Sequence, residues 1–335
     1  MNPWTSRLRR AGGGLALMLT AWTTAPGTSA SAADAFPART IRIVVGFGPG
    51  GLGDTVTRAL AQKMTDSMGQ SMVVENTPGA GGITAASSVA RAAPDGYTLG
   101  LSSGQNAISP FLFKSLPYDP VESFSMISSI GTFSFVLVVD KASPLKTVAD
   151  VIEAAKKDPA HFNLGTISAG SAQHLSAQLF GSMAKLGVPV VPFKTTGDLI
   201  GALRGGQIQA GLETTTGVLG QIKGGALRAI ATTAPQRLSF LPEVPTVAES
   251  GVPALAGYAS ESWNGIVAPA GVPRDIVLRL NQEIAKALAT PAMQTQLRGL
   301  GIEPKAGTPE ELKALYRMDA AKWGPVIEQA GIARQ

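Results

Sequence analysis

A chain of 335 residues with 44% hydrophobic content and a formal net charge of +5 has room for about two domains and a sizeable core. It contains no cysteine, which excludes disulfides, thiolate nucleophiles and Cys-based zinc sites; a metal site or a His-dependent triad would have to draw on His161 or His174. No cluster of Lys and Arg with interleaved aromatics occurs, which argues against nucleic acid as a partner.

Taken in chain order, residues 1–33 read as a secretory signal peptide. Arg7, Arg9 and Arg10 precede the uncharged stretch "AGGGLALMLTAWTT", and Ala30-Ser31-Ala32 supplies an A-x-A cleavage pattern. The apolar stretch is shorter than the roughly 20 residues a spanning helix needs, so a membrane anchor is the weaker reading. These three arginines account for three of the five net positive charges, leaving +2 on the remainder.

Beyond the leader, apolar runs alternate with helical patterns. Ile41–Val45 reads as a buried strand, and Val56, Leu60, Met64 and Met68 recur every fourth residue, the spacing of one helix face. Met72–Glu75, Ile83–Arg91 and Tyr97–Leu101 continue as strand, helix, strand, an order that calls for a parallel sheet covered on both sides. The second half repeats that logic. Strands are expected at Phe135–Val139, Phe162–Thr166, Val188–Val191, Gln209–Leu212 and Ala226–Thr232, with helices at Val148–Lys156 and along Leu175, Leu179, Met183 and Leu186. The C-terminal stretch is helical: Pro273-Arg274-Asp275 opens one helix, Pro291 another, and Thr308-Pro309-Glu310-Glu311 is a capping-box start.

Two loops carry the chemistry. In "TIRIVVGFGPGGLGDTVTRAL" (Thr40–Leu60), Gly46, Gly48 and Gly51 give G-x-G-x-x-G between a strand and a helix. That spacing fits a dinucleotide-binding turn, with Glu75 placed 24 residues past the third glycine as a ribose-binding acid. A dinucleotide-dependent oxidoreductase is therefore one reading. Against it stand the export signal, Asp54 at the start of the helix, and the lack of a Walker lysine. The same backbone suits a carboxylate, because amides at a helix start have no intrahelical partner and the helix dipole attracts anions. "GTISAGSAQHLSAQLF" (Gly165–Phe180) is a second loop of the same kind, with Ser168, Ser171 and the amides around Gly170 as donors. Two such loops, one per half, point to an anion gripped between two helix starts.

At this point the sequence resembles a family. "RIVVGFGPGGLGDTVTRALA", "VVENTPGAGGITAASSVARAAPDGYTL", "LPYDPVESF", "ISAGSAQHL", "LPEVPTVAESG", "ESWNGIVAPAGVP", "GIEPKAGTPEEL" and "KWGPVIEQAGI", in this order, are similar to the Bug-type periplasmic solute-binding receptors of tripartite tricarboxylate transporters, from about Phe36 to Ile332. The resemblance implies an α/β, two-lobed type II periplasmic-binding-protein fold with a hinge between the lobes. It implies no enzymatic activity and no cofactor, a small organic acid as ligand, and delivery to a membrane permease. We place lobe one at 36–131 plus 263–335 and lobe two at 132–262, and expect a monomer with no metal site. The sequence departs from the family pattern at Gly46, where proline is usual, at Thr77, where arginine is usual, at Phe193-Lys194-Thr195 in place of Tyr-Lys-Gly, and at Glu213 in place of aspartate.

Carried onto this chain, the ligand-binding set is Phe47, Gly48, Pro49, Gly50, Gly51, Leu52 and Asp54 from loop one, and Ser168, Ala169, Gly170, Ser171 and His174 from loop two. Ser102 and Asn106, with neighbouring Ser103 and Gln105, follow the third strand, where open parallel sheets place their ligands. Thr196 and Glu213 occupy the matching side of lobe two, and Trp263 touches the ligand or braces the hinge. Asp54 either caps its helix or orients a ligand amine or water, and Phe47 is either a wall of the pocket or core. Histidine 174 serves structure or ligand hydrogen bonding rather than catalysis, since no G-x-S-x-G nucleophile motif accompanies it. The loops hold no arginine, so backbone amides, hydroxyls and water are expected to carry the negative charge, with Lys194 the nearest cation.

Overall fold

The computed structural model describes residues 36–167, 169–329 and 331–334. The expected signal peptide and the candidate Ser168 lie outside these residues.

The first sheet starts with β1 (Ile41–Val45), which passes through the glycine loop into α1 (Leu52–Met68). Helix α1 forms because Val56, Leu60 and Met64 lie on one face and are buried, and it stops at Gly69, whose φ of 70° closes it in the left-handed conformation. Burying a side chain such as Leu60 or Met64 contributes about 1.5–3 kcal/mol. Strand β2 (Met72–Asn76), helix α2 (Ile83–Ala90), strand β3 (Thr98–Ser103) and helix α3 (Gly104–Leu112) follow. Strands β2 and β3 flank β1 in parallel.

The next strand, β4 (Phe124–Asp140), is 17 residues long and belongs to both halves of the molecule. The second half then runs α4 (Val148–Lys157), β5 (Leu164–Ile167), α5 (Ala172–Ala184), β6 (Val190–Phe193), α6 (Thr196–Arg204), β7 (Ala210–Thr214), α7 (Thr215–Lys223) and β8 (Leu227–Thr232). Strand β9 (Glu261–Pro269) returns the chain to the first sheet, and α8 (Arg274–Ala289), α9 (Pro291–Gly299), β10 (Ile302–Pro304) and α10 (Pro309–Gln329) complete it.

The pairing gives the two sheets the same plan. In the first the order is β2-β1-β3-β9-β4, with β9 antiparallel to both neighbours. In the second it is β6-β5-β7-β4-β8, with β4 antiparallel to both of its neighbours. Strand β4 pairs with β9 from Phe124 to Ser134 and with β7 from Phe135 to Val138, so it leaves one sheet and enters the other without a break. Register shifts between Met126 and Ser128 and between Ser129 and Gly131 bend it on the way. Each sheet has its own core. Ile41, Ile43, Leu60, Leu99, Ile130, Leu280 and Ile284 fill the first, and Phe135, Leu137, Val151, Leu164, Phe180, Leu212 and Tyr258 the second.

The sequence reading placed only Phe135–Val139 in a strand here. The run Ser128–Ser134, rich in small and polar residues, interrupts the apolar pattern, yet all of it except Ile130, at the register shift, is paired with β9. The residues expected to separate the lobes, 131/132 and 262/263, lie inside β4 and β9 rather than in linkers.

Candidate functional site

Loop one is held from within its own half. Gly46 lies so close to the turn at 80–82 that a Cβ would come within 2.9 Å of the Gly82 Cα. Gly50 has a φ of +80° and donates its amide to Asp54 Oδ2 at 2.9 Å. Asp54 Oδ1 accepts from Asn76 Nδ2 at 2.8 Å and pairs with Arg58 Nε at 2.9 Å, while Asn76 Nδ2 also donates to the Phe47 carbonyl at 3.0 Å. Burial pushes the Asp54 carboxyl up, but the bonds from Arg58, Gly50 and Asn76 outweigh it and hold it below the usual carboxylate range. Asp54 thus staples the loop to β2, and the start of α1 at Gly51 carries no side-chain cap.

Loop two is pinned in the same manner. Ser171 caps α5: its Oγ accepts the His174 amide at 3.1 Å and donates to the Ile167 carbonyl at 2.6 Å. Gly170, with a φ of +77°, donates its amide to His174 Nδ1 at 2.9 Å. Burial lowers the affinity of His174 for a second proton, so the imidazole is neutral at pH 7, in keeping with Nδ1 acting as acceptor.

These bonds change which amides face the ligand. The amides of Gly50 and Gly170 are occupied by Asp54 and His174, and that of Gly51 donates to the Gly48 carbonyl at 3.3 Å. The donors that remain belong to the opening turns of the helices, Leu52 and Gly53 in α1 and Ala172 and Gln173 in α5, where no preceding turn exists to accept them.

Those four residues line a single cavity of about 160 Å³ at the seam between the two halves. Its other walls are Phe47, Gly51, Ser103, Gln105, Phe133, Thr214, Ser262 and Asn264. The floor is made by strands that meet where β4 passes from one sheet to the other: Ser103 lies opposite Asn264, Phe133 opposite Ser262, and Thr214 opposite Phe135. Asn264 is 3% exposed, and its Oδ1 has no hydrogen-bond partner among the described residues. A larger space of about 840 Å³ adjoins it, sharing Phe47, Gln105 and Gln173 and adding Leu112, Phe113, Ile167, Ala169, Gly170, Ser171, His174 and Ile332.

Of the residues expected at the site, Phe47, Gly51, Leu52, Ala169, Gly170, Ser171 and His174 line this double cavity. Gly48, Pro49 and Gly50 form the exposed apex of loop one. Others stand behind the walls. Ser102 bonds the Tyr316 hydroxyl, and Asn106 closes the capping box of α3 by accepting from the Ser103 amide at 3.0 Å. Trp263 donates to Asp319 Oδ2 at 2.8 Å and packs on Tyr316, which fastens α10 to β9. Glu213, fully buried, accepts from the Thr214 amide at 2.6 Å, from Gln173 Nε2 at 3.3 Å and from Thr196 Oγ1 at 3.3 Å, so it organises two wall residues from below. Phe133, Gln173, Thr214, Ser262 and Asn264 were not foreseen. Strand alternation around Trp263 was a usable signal for Ser262 and Asn264, because neighbours of an inward side chain face the other way.

Two sheets of related strand order, joined through the shared strand β4 and meeting at paired helix starts, define a two-lobed solute-binding protein of the periplasmic type. The chain belongs to the TctC family, Tripartite tricarboxylate transporter family receptor, which it matches over residues 56–332. Among solved structures it is similar to the periplasmic binding protein BugD, with 31% identity, a TM-score of 0.75, and coverage of 90% of this chain and 100% of that one. It is also similar to Rhodopseudomonas palustris Rpa4515 with adipate, with 32% identity, a TM-score of 0.79, and coverage of 90% and 100%. MatC from the same organism, with bound malate, shows 31% identity, a TM-score of 0.72, and coverage of 87% and 100%. These are solute-binding receptors, not enzymes, and the oxidoreductase reading of the glycine loop finds no support among them. Glu75, the residue that reading required, pairs instead with Arg42 at 3.2 Å on the neighbouring strand.

Proposed function

We propose that this protein is exported to the periplasm by its N-terminal signal, captures a small organic acid between its lobes, and hands it as a monomer to the membrane permease of a tripartite tricarboxylate-type transporter. Lobe one comprises 36–131 plus 263–335 and lobe two 132–262. The observation that carries this reading is the cavity walled by the opening turns of α1 and α5, one from each lobe. Amides aimed from two sides favour a carboxylate, and the adipate and malate found in the two relatives are ligands of that chemistry. Closure follows from the same geometry. Only when the lobes approach do both helix starts reach one anion, so the ligand binds the closed form better and shifts the population toward it.

A thermal-shift panel of mono-, di- and tricarboxylates tests this. An acid present at one hundred times its Kd stabilises the folded protein by about 2.7 kcal/mol, a readily measured rise in melting temperature. A panel in which no acid raises the melting temperature, while NADH does, overturns the reading.

A further inference from the structure

Resting on that reading, we infer that the cleft is built for a monocarboxylate with an apolar tail, and that it discriminates against diacids. The charge balance comes first. Each helix start presents roughly half a positive charge, so the pair at the cavity amounts to about one, enough for one carboxylate. Neither cavity has a Lys or Arg among its described wall residues. Lys194, the nearest cation foreseen, is exposed and outside both. His174, which reaches the larger cavity, uses Nδ1 to accept the Gly170 amide and stays neutral. Beneath the floor lies a buried acid, Glu213, which brings no positive charge to the site and accepts hydrogen bonds from Thr214, Gln173 and Thr196.

The walls supply the second half. Beyond the polar end with Ser103, Thr214 and Asn264, the space widens between Phe47, Leu112, Phe113, Ile167 and Ile332, and the polar side chains that share its wall, Gln105, Ser171, Gln173 and His174, bring no positive charge. A second carboxylate placed there would lose water and gain no countercharge. An alkyl or aryl tail of the same length has no charge to strip of water and buries apolar surface against those five side chains. Hexanoate and adipate are the matched pair for this distinction, since they share a six-carbon chain and differ only in the far end.

Titration calorimetry of the leaderless chain, at pH 7.5, with hexanoate and with adipate decides the matter. Hexanoate is expected to bind tighter by at least about tenfold, the least an uncompensated second charge should cost. Phe113→Lys, which sets a cation at the apolar end, should move the ratio toward adipate by about threefold or more while circular dichroism shows the fold intact. Adipate binding as tightly as hexanoate, or heat from neither acid, overturns the inference. In the first case the receptor reading stands. In the second it stands only if some other acid of the wider panel raises the melting temperature. A wild-type preference for hexanoate that Phe113→Lys leaves unchanged, in a folded variant, refutes the placement of the tail.

Discussion

Replacing Asp54 with alanine removes the fastening of loop one, and its cost can be worked out from the contacts. The carboxylate accepts two hydrogen bonds, from the Gly50 amide at 2.9 Å and from Asn76 Nδ2 at 2.8 Å, and its side chain is only 4% exposed. Bonds to a charged acceptor contribute about 1.5–3 kcal/mol each, and the lower figure applies because the exposed Gly50 can turn to water, giving about 3 kcal/mol for the pair. Arg58, half exposed, adds less than about 1 kcal/mol. Urea unfolding of the ligand-free protein at pH 7 should therefore show a loss of about 3–4 kcal/mol, and calorimetry a weakened affinity for whichever acid binds the wild type. The pH dependence carries its own sign. The folded-state pKa of Asp54 lies below its unfolded value, so this stabilisation is fully present above about pH 4 and disappears as pH falls through the folded value. In the variant that acid-side loss should shrink. A loss of stability under about 1 kcal/mol, with affinity unchanged, would refute the assignment of Asp54 as the staple of the loop.

Further expectations concern the hinge and the second loop. Gly131→Ala sets a Cβ 2.5 Å from the backbone carbonyl of Glu303, which cannot swing aside, so β10 must shift on β4 and denaturant unfolding should show a loss of at least about 1–3 kcal/mol. Ser171→Ala deletes the cap of α5 and should cost about 1 kcal/mol by the same assay, with weaker ligand binding because the amides of Ala172 and Gln173 lose their aim. Burial raises the Asp319 carboxyl to about 6, against the bond from Trp263, so the folded protein holds a proton there that the unfolded chain releases near pH 4. Stability should therefore fall as pH rises from about 4 to 6, and Asp319→Asn should flatten that part of the melting-temperature profile.

Much of the scaffold was legible because it obeys simple periods. The face of α1 is set by Val56, Leu60 and Met64, and the glycine spacing after β1 and the serine before α5 mark both helix starts. What escaped was whatever depends on partners distant in the chain. Ser102 looked like a ligand contact because it ends β3, yet it meets Tyr316, 214 residues away, and its neighbour Ser103 faces the cavity instead. Trp263 attracted notice by its size, while the smaller Ser262 and Asn264 beside it line the pocket. Likewise nothing local reveals that Asp54 and His174 turn back to occupy loop amides, since both bonds arise only after the loops have folded.

The single strand shared by both sheets has a bearing on how the molecule comes apart. Ile127 and Ile130 anchor one hydrophobic centre and Phe135, Leu137 and Val139 the other, all on one uninterrupted ribbon. Neither half can shed that ribbon without breaking the pairing of its companion's strands. A two-centred molecule of this kind is expected to melt in one cooperative event, with calorimetric and van't Hoff enthalpies in agreement, and neither half, cut out alone, is expected to fold.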